Sequence, residues 1–283
     1  MTKITGNQKF IYIFVILVII AFIHSSRLYA QIYLDTTQSI EARVEDLLSR
    51  MTLDEKIGQM AQAERQAFSD ITDIRTYNIG SLLSGGGSVP SPNTGVAWAD
   101  MYDKFQLQAM DTRLKIPLIY GVDAVHGHNN VKGAVIFPHN IGLGCMRNPE
   151  LVKEAARITA LEIKGTGLNW TFAPCIAVTR NERWGRTYEG FGETTDLVSL
   201  LGVAVIKGLQ GDSLKGKASI LACAKHYIGD GGTTNGTDQG NTEVDEQTLR
   251  ELYLQPYINA INAGVGSVMA SYSSWNGNKL HGH

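Results

Sequence analysis

The sequence has few residues of the kinds that build disulfide, metal or phosphate sites. It holds only three cysteines, Cys145, Cys175 and Cys223. The number is odd, none forms a CxxC pair, and all three lie in apolar stretches. A disulfide scaffold is therefore not expected, and the three read as buried thiols. The seven histidines show no zinc-ligand spacing. His126 and His128 are two apart, and HGHNN lacks the HExxH form, so no metal site is expected. No GxxxxGK[ST] is present and no GxGxxG follows a strand, so the glycines do not form a phosphate loop. Lys plus Arg total 25 against 27 Asp plus Glu, a net charge of -2. Without a basic stripe to neutralise phosphates, the composition argues against a nucleic-acid partner. No region is low in complexity.

Long apolar runs are also missing. The run from Phe10 to Ile23 has 14 residues, short of the roughly 20 that a membrane-spanning helix needs. Lys3 and Lys9 precede it, Ser25, Ser26 and Arg27 follow, and Ala30 offers a small residue before Gln31. This is the pattern of a secretory signal peptide over residues 1–30. An uncleaved amino-terminal anchor and a buried core helix are the alternatives. Cleavage removes three positive charges and takes the net charge from -2 to -5. A periplasmic or secreted location is expected, with membrane contact only through an uncleaved leader.

What is present is an alternation of strands and helices over residues 31–283. The 43% hydrophobic content suffices for one large core or two smaller ones. Residues Ile40 to Arg50 read as a helix. Thr52 with Glu55 has the spacing of a capping box for a second one. Strands are expected at Ile79 to Leu83, Ile116 to Val122, Leu168 to Ala173, Ser219 to Ala224 and Ser267 to Ser271. Helices are expected from Trp98 to Thr112, from Asn148 (a cap followed by Pro149) to Gly165, and through Leu197, Leu200, Leu201, Ala204 and Gly208. A last helix runs from an Asp245 cap to about Ala263, bent at Pro256. Such alternation implies a parallel sheet. A closed (β/α)8 barrel needs eight strands and five are legible. The chain is then either a smaller open α/β sheet or an incomplete barrel.

Three strand ends carry polar groups. IYGVDAVHGHNN follows Pro117, NERWGRTYEG follows Pro174, and KHYIGDGG closes the fourth strand. Polar residues at several carboxyl ends of parallel strands suggest one pocket. Asp123 can accept hydrogen bonds from sugar hydroxyls, or serve as a cap or structural ion-pair member. His126 and His128 read as supports of their loop. Arg183 and Arg186 flank Trp184 and Gly185. A planar guanidinium there could hold Asp123, or form a surface cluster with Glu182 and Glu189. Lys225 and His226 read as hydroxyl ligands. A structural role remains open for both, as does a Schiff-base role for Lys225 in a lyase or aldolase. Asp230 can fix the His226 tautomer or close the GDGG turn. Tyr272 and Trp275 are candidates for stacking on a sugar face, or for packing. Asp123, Asp230, Asp238 and Glu243 are the acids in pocket-like sequence, and spacing does not pair them.

Taken together, the stretches GVDAVHGHNNVKGAVIFPHNIGLG, NWTFAPCIAVTRNERWGRTYEGFGE, AKHYIGDGGTTNGTDQGNT and SVMASYSSWNG resemble the amino-terminal domain of family 3 glycoside hydrolases. They are most similar to the β-glucosidase and exo-β-glucan glucohydrolase branch. The resemblance implies an incomplete TIM-type (β/α)8 barrel with parallel strands. It implies that Asp123, Arg186, Lys225 and His226 grip the hydroxyls of a non-reducing glucosyl unit, and that Tyr272 lies near the nucleophile. The family's nucleophilic aspartate and its acid/base are expected beyond His283. The implied parent reaction is retaining hydrolysis of terminal β-glucosyl residues in β-glucosides or β-glucan oligosaccharides, without a cofactor. KHYIGDGG differs from the KHFPGHG of the family's N-acetylglucosaminidases. Gly192 replaces the usual serine before glutamate. A non-catalytic secreted glucan- or glucose-binding module is the alternative.

Overall fold

The computed structural model describes residues 31–283. The expected signal peptide lies outside the described residues. Those residues fall into two compact units, divided between Lys56 and Ile57.

The smaller unit is held by local polar bonds. Ser39 caps the helix Ile40–Arg50 by accepting from the Ala42 N–H. Arg50 grips Asp46 through two hydrogen bonds of 2.9 and 2.8 Å, and the Tyr33 N–H donates to the same carboxylate at 3.0 Å. The expected capping box forms reciprocally. The Glu55 N–H donates to Thr52 Oγ1 at 3.2 Å, and the Thr52 N–H donates to Glu55 Oε2 at 2.8 Å.

The larger unit is built on parallel strands. Its strands in chain order are β1 (Gln62–Glu64), β2 (Ser81–Ser84), β3 (Ile119–Val122), β4 (Trp170–Thr171) and β5 (Cys223–Tyr227), then β6 (Asn241–Thr242), β7 (Ser267–Ala270), β8 (Ser274–Trp275) and β9 (Asn278–Lys279), of which only β9 runs antiparallel to its partner. Strands β1 to β4 pair in sequence order, all parallel. Beyond β4 the pairing continues through single parallel bridges, Trp170 with Leu221 and Cys175 with Lys225. Then β5 pairs with β7. The wall thus has six parallel strands, one more than expected. The additional strand is β1, whose sequence Gln-Ala-Glu carries no β-branched or aromatic residue to announce it. Among the described residues, β1 and β7 are each paired along one edge only. Strands β6, β8 and β9 form a separate small sheet in which β8 and β9 make a hairpin.

Alternation along the wall separates two faces. Leu82, Tyr120, Val122 and Thr171 point to the buried layer beneath the helices. There Ser84 and Tyr120 share a hydrogen bond of 2.8 Å. Gly121 and Phe172 lie on the other face. A Cβ at Gly121 would collide with the Phe172 ring, so the absent side chain makes room for that ring. The helices Pro149–Gly165 and Thr195–Gln210 cover the sheet and approach closely at Gly208, where a Cβ would clash with the Lys153 carbonyl and the Ala156 methyl. Asn148 caps the first of these with Pro149 at its first turn, as the sequence predicts.

The last helix follows its Asp245 cap, as expected, but the irregularity precedes Pro256. Residues Leu249–Leu254 form a π-helical turn before the α-helix Gln255–Asn262. Proline has no N–H to offer the carbonyl four residues back. That carbonyl, of Leu252, instead accepts from Thr195 Oγ1 at 3.0 Å. One cysteine also departs from expectation. Cys175 and Cys223 are buried, but Cys145 is exposed, because the helix Asn140–Met146 buries Asn140 and Gly144 and turns Cys145 outward.

Candidate active site

The carboxyl ends of the wall strands carry loops whose own hydrogen bonds fix the polar residues. After β3, Asn130 Nδ2 donates to the Asp123 carbonyl at 2.9 Å, and the Val125 N–H donates to Asn129 Oδ1 at 3.0 Å. His126 and His128 support this loop. His126 bonds the Phe137 carbonyl through Nδ1 at 3.0 Å and stacks on His139. His128 is fully buried against Thr166 Oγ1, and burial pushes its pKa down to about 4, which keeps it neutral.

After β4, the arginine loop is tied to the neighbouring loop through the Arg180 N–H, which donates to the Gly231 carbonyl at 2.8 Å. Asn140 Nδ2 holds the Glu189 carbonyl at 2.7 Å. Arg186 is thereby set beside Glu189 in a bidentate pair, Nε to Oε1 at 2.6 Å and Nη2 to Oε2 at 2.9 Å. Within β5, the register with β7 shifts between Lys225 and Tyr227, so His226 is an extra residue in the ladder. This irregularity lets two consecutive side chains, Lys225 and His226, line one cavity.

A continuous polar chain results. Lys225 Nζ donates to Asp123 Oδ1 at 3.2 Å and lies 4.0 Å from Glu189 Oε2. Arg186 Nη2 lies 3.0 Å from His226 Nε2, and His226 Nδ1 lies 2.7 Å from Asp230 Oδ2. Lys225, His226, Asp230 and Glu189 are all buried. Burial disfavours charge on both Arg186 and Glu189, but their mutual hydrogen bonds and attraction prevail. The guanidinium pKa is raised and the carboxyl is held below its usual value.

Asp123, Arg186, Lys225, His226 and Tyr272 line one cavity of about 350 Å3, together with Gln62, Leu83, Phe172, Met269 and His281. Tyr272 is exposed and stacks on His281 with ring centroids 5.3 Å apart. The other candidates lie elsewhere. Arg183 does not line the cavity; its N–H donates to Asn181 Oδ1 and its backbone crowds Gly236. Trp275 is turned away because β8 pairs with β6, and its Nε1 donates to the Val244 carbonyl at 2.8 Å. Asp230 stands behind His226. Asp238 accepts from Trp184 Nε1, and Glu243 accepts from Thr234 and Asn241. Asp123 is held by Lys225 rather than by an arginine, because Glu189 already occupies Arg186. Glu189 is the residue that the sequence reading named only in its alternative, a surface cluster with Arg183, Arg186 and Glu182. Its position three residues after Arg186 was a visible signal, but its burial was not.

The arrangement presents a carboxylate acceptor, two cationic donors, an imidazole and an aromatic ring to one space. That is the equipment for a neutral ligand rich in hydroxyls. The model for the glycosyl hydrolase family 3 N terminal domain matches residues 52–283. The chain is 36% identical over 262 residues to the lysosomal beta glucosidase of Dictyostelium discoideum, covering 84% of this chain and 32% of that protein. It is 36% identical over 244 residues to the periplasmic beta-glucosidase of Salmonella typhimurium, covering 86% and 30%. The crystal structure of the exo-1,3/1,4-beta-glucanase from a Pseudoalteromonas species superposes with a TM-score of 0.81 at 43% identity, covering 88% of this chain and 32% of that one. The beta-glucosidase from Listeria innocua in complex with glucose gives a TM-score of 0.72 at 29% identity, covering 86% and 34%. The chain spans about a third of the length of these relatives. The six-stranded wall is an incomplete TIM-type barrel of the kind found in these structures.

Proposed function

The chain belongs to glycosyl hydrolase family 3, and on that premise we propose that its cavity holds the terminal non-reducing glucosyl unit of β-glucosides or β-glucan oligosaccharides. Asp123 accepts from sugar hydroxyls, Lys225 and Arg186 donate to them, His226 makes a further polar contact, and Tyr272 stacks at the rim. The observation that carries this reading is the convergence of five residues from four strand ends on one cavity. Calorimetric titration with glucose tests it. Saturable binding that is lost in a Lys225→Ala, Asp123→Ala double variant supports the site, and binding unchanged by those substitutions overturns it.

Retaining hydrolysis requires two carboxyl groups flanking the glycosidic bond. Among the described residues that line the cavity, Asp123 is the sole carboxylate. In the family reaction proposed here, a nucleophilic aspartate outside these residues forms the glucosyl-enzyme, and water releases β-glucose. The 283-residue chain assayed by itself on an aryl β-glucoside is expected to show no appreciable turnover. Turnover near that of an intact family member, surviving a contamination control, would refute this. A glucan-binding module without hydrolytic purpose rests on the same single carboxylate. The coding sequence downstream of His283 separates the two readings: a nucleophile motif favours the hydrolase and a stop codon favours the module.

Residues 1–30 are proposed as a cleaved signal peptide and residues 31–283 as the barrel domain, in a periplasmic or secreted protein. Among the described residues no helix is long and apolar enough to cross a membrane. Amino-terminal sequencing of protein recovered from the periplasm or medium is expected to begin at Gln31.

A further inference from the structure

His226 is bracketed on both sides, and the chemistry of its neighbours fixes where its proton sits. Its Nε2 lies 3.0 Å from Arg186 Nη2. A guanidinium nitrogen offers protons and has no lone pair to accept with. The contact is therefore a hydrogen bond only if Nε2 is unprotonated and accepts. The single imidazole proton is then on Nδ1, where Asp230 Oδ2 accepts it at 2.7 Å. His226 and Asp230 are 8% and 5% exposed, so water does not compete for either bond. Arg186 cannot turn its protons elsewhere without breaking its two bonds to Glu189.

We infer that Asp230 and Glu189 are positioning residues that hold His226 as the Nδ1–H tautomer, so that a sugar hydroxyl meeting Nε2 can only donate, sharing the one lone pair there with Arg186 Nη2. The hydroxyl clause rests on the sugar-site reading; the tautomer does not. The cavity then has a fixed polarity. Lys225 and Arg186 only donate, while Asp123 and His226 only accept. A group that accepts but cannot donate, such as fluorine, is tolerated opposite Lys225 and rejected opposite Asp123 and His226.

A long-range 1H–15N correlation spectrum of the histidine-labelled protein at neutral pH reads the tautomer directly, with the His226→Gln spectrum identifying the signals. The expected result is a protonated Nδ1 and an unprotonated Nε2. An Nε2–H tautomer or a doubly protonated ring overturns the inference. In Asp230→Asn the amide oxygen can still accept from Nδ1 while Arg186 still donates to Nε2, so the tautomer is expected to persist, and inversion would overturn the part assigned to Arg186. Should that variant fail to fold, the wild-type spectrum still decides. The hydroxyl clause is tested by titrating glucose and its monodeoxyfluoro analogues. The analogues that place fluorine opposite Asp123 or His226 are expected to bind about tenfold more weakly, on the scale of one buried hydrogen bond, and the loss opposite His226 is expected to persist in Asp123→Asn. Equal affinity for all analogues overturns the clause. Failure of wild-type protein to bind glucose also overturns the clause, through the site reading, and leaves the tautomer standing on its spectrum.

Discussion

Two arginine–glutamate pairs in this molecule have the same spacing and nearly the same geometry. Arg157 and Glu154 lie on the outer helix, bonded at 2.8 and 2.7 Å. Arg186 and Glu189 lie at the cavity, bonded at 2.6 and 2.9 Å. The side chains of the first pair are about half exposed, whereas Glu189 retains 10% of its accessible surface. The contacts are alike and the surroundings are not. An exposed pair exchanges good solvation for modest attraction and contributes little. In a buried pair each charge has given up water, so the loss of one partner strands the other. Glu189 has the further duty of lying 4.0 Å from Lys225, so one carboxylate faces two cations.

The sharpest way to break the comparison is Glu189→Ala. It is expected to destabilise the protein by up to about 3 kcal/mol in denaturant unfolding, the low end for a buried pair, since the guanidinium that loses its counter-ion is 32% exposed. In the cycle with Arg186→Ala, the double variant is expected to lose less than the sum of the single losses. A strictly additive cycle would show that the pair is no more coupled than its outer counterpart.

Asp123→Asn is the next effect in size and separates ligand binding from stability. Glucose affinity is expected to fall roughly ten- to a hundredfold, the scale of charge-assisted hydrogen bonds. The unfolding midpoint should move less than in Glu189→Ala, because the asparagine oxygen can still accept from Lys225 and Glu189 stays 4.0 Å from that ammonium. An unchanged affinity would remove Asp123 from the site.

The smallest effect is in acid. Burial opposes ionisation of Glu189, but hydrogen bonds and charge from Arg186 hold its carboxyl below the ordinary value of 4.5. A depressed carboxyl contributes stability that is present above the unfolded-state value and is lost as pH falls through the folded-state value. Glu189→Gln is therefore expected to flatten the stability curve below about pH 4.5, while Glu154→Gln flattens it less. The Glu154 carboxyl is also lowered, by its hydrogen bonds to Arg157, but on a half-exposed pair that water screens. Equal flattening by both variants would erase the distinction between the pairs.

Much of this was legible in the residues. Caps are local, so Thr52 with Glu55 and Asn148 with Pro149 formed as expected. Five wall strands were marked by apolar residues and by the polar groups at their ends. The unmarked strand, Gln62–Glu64, is short and polar, and only its register with Ser81–Leu83 defines it. At the site, each strand end named its own polar residue, and the family resemblance selected which would meet. Glu189 is held in place by Asn140, which opens the helix Asn140–Met146 and leaves no trace in the local pattern. Trp275 had the composition of a stacking residue, and a pairing with Thr242 turned it away.

The side chain that Gly121 lacks has a consequence for how the cavity could change. The Phe172 ring takes the volume a methyl would claim there. Grafting one carbon onto residue 121 would push the phenyl group toward the opening and make the bowl shallower from beneath. None of the groups that meet a ligand would be exchanged. Depth and recognition chemistry are thus adjusted at separate positions, and a change in the size of the accepted guest need not begin with a change in what holds it.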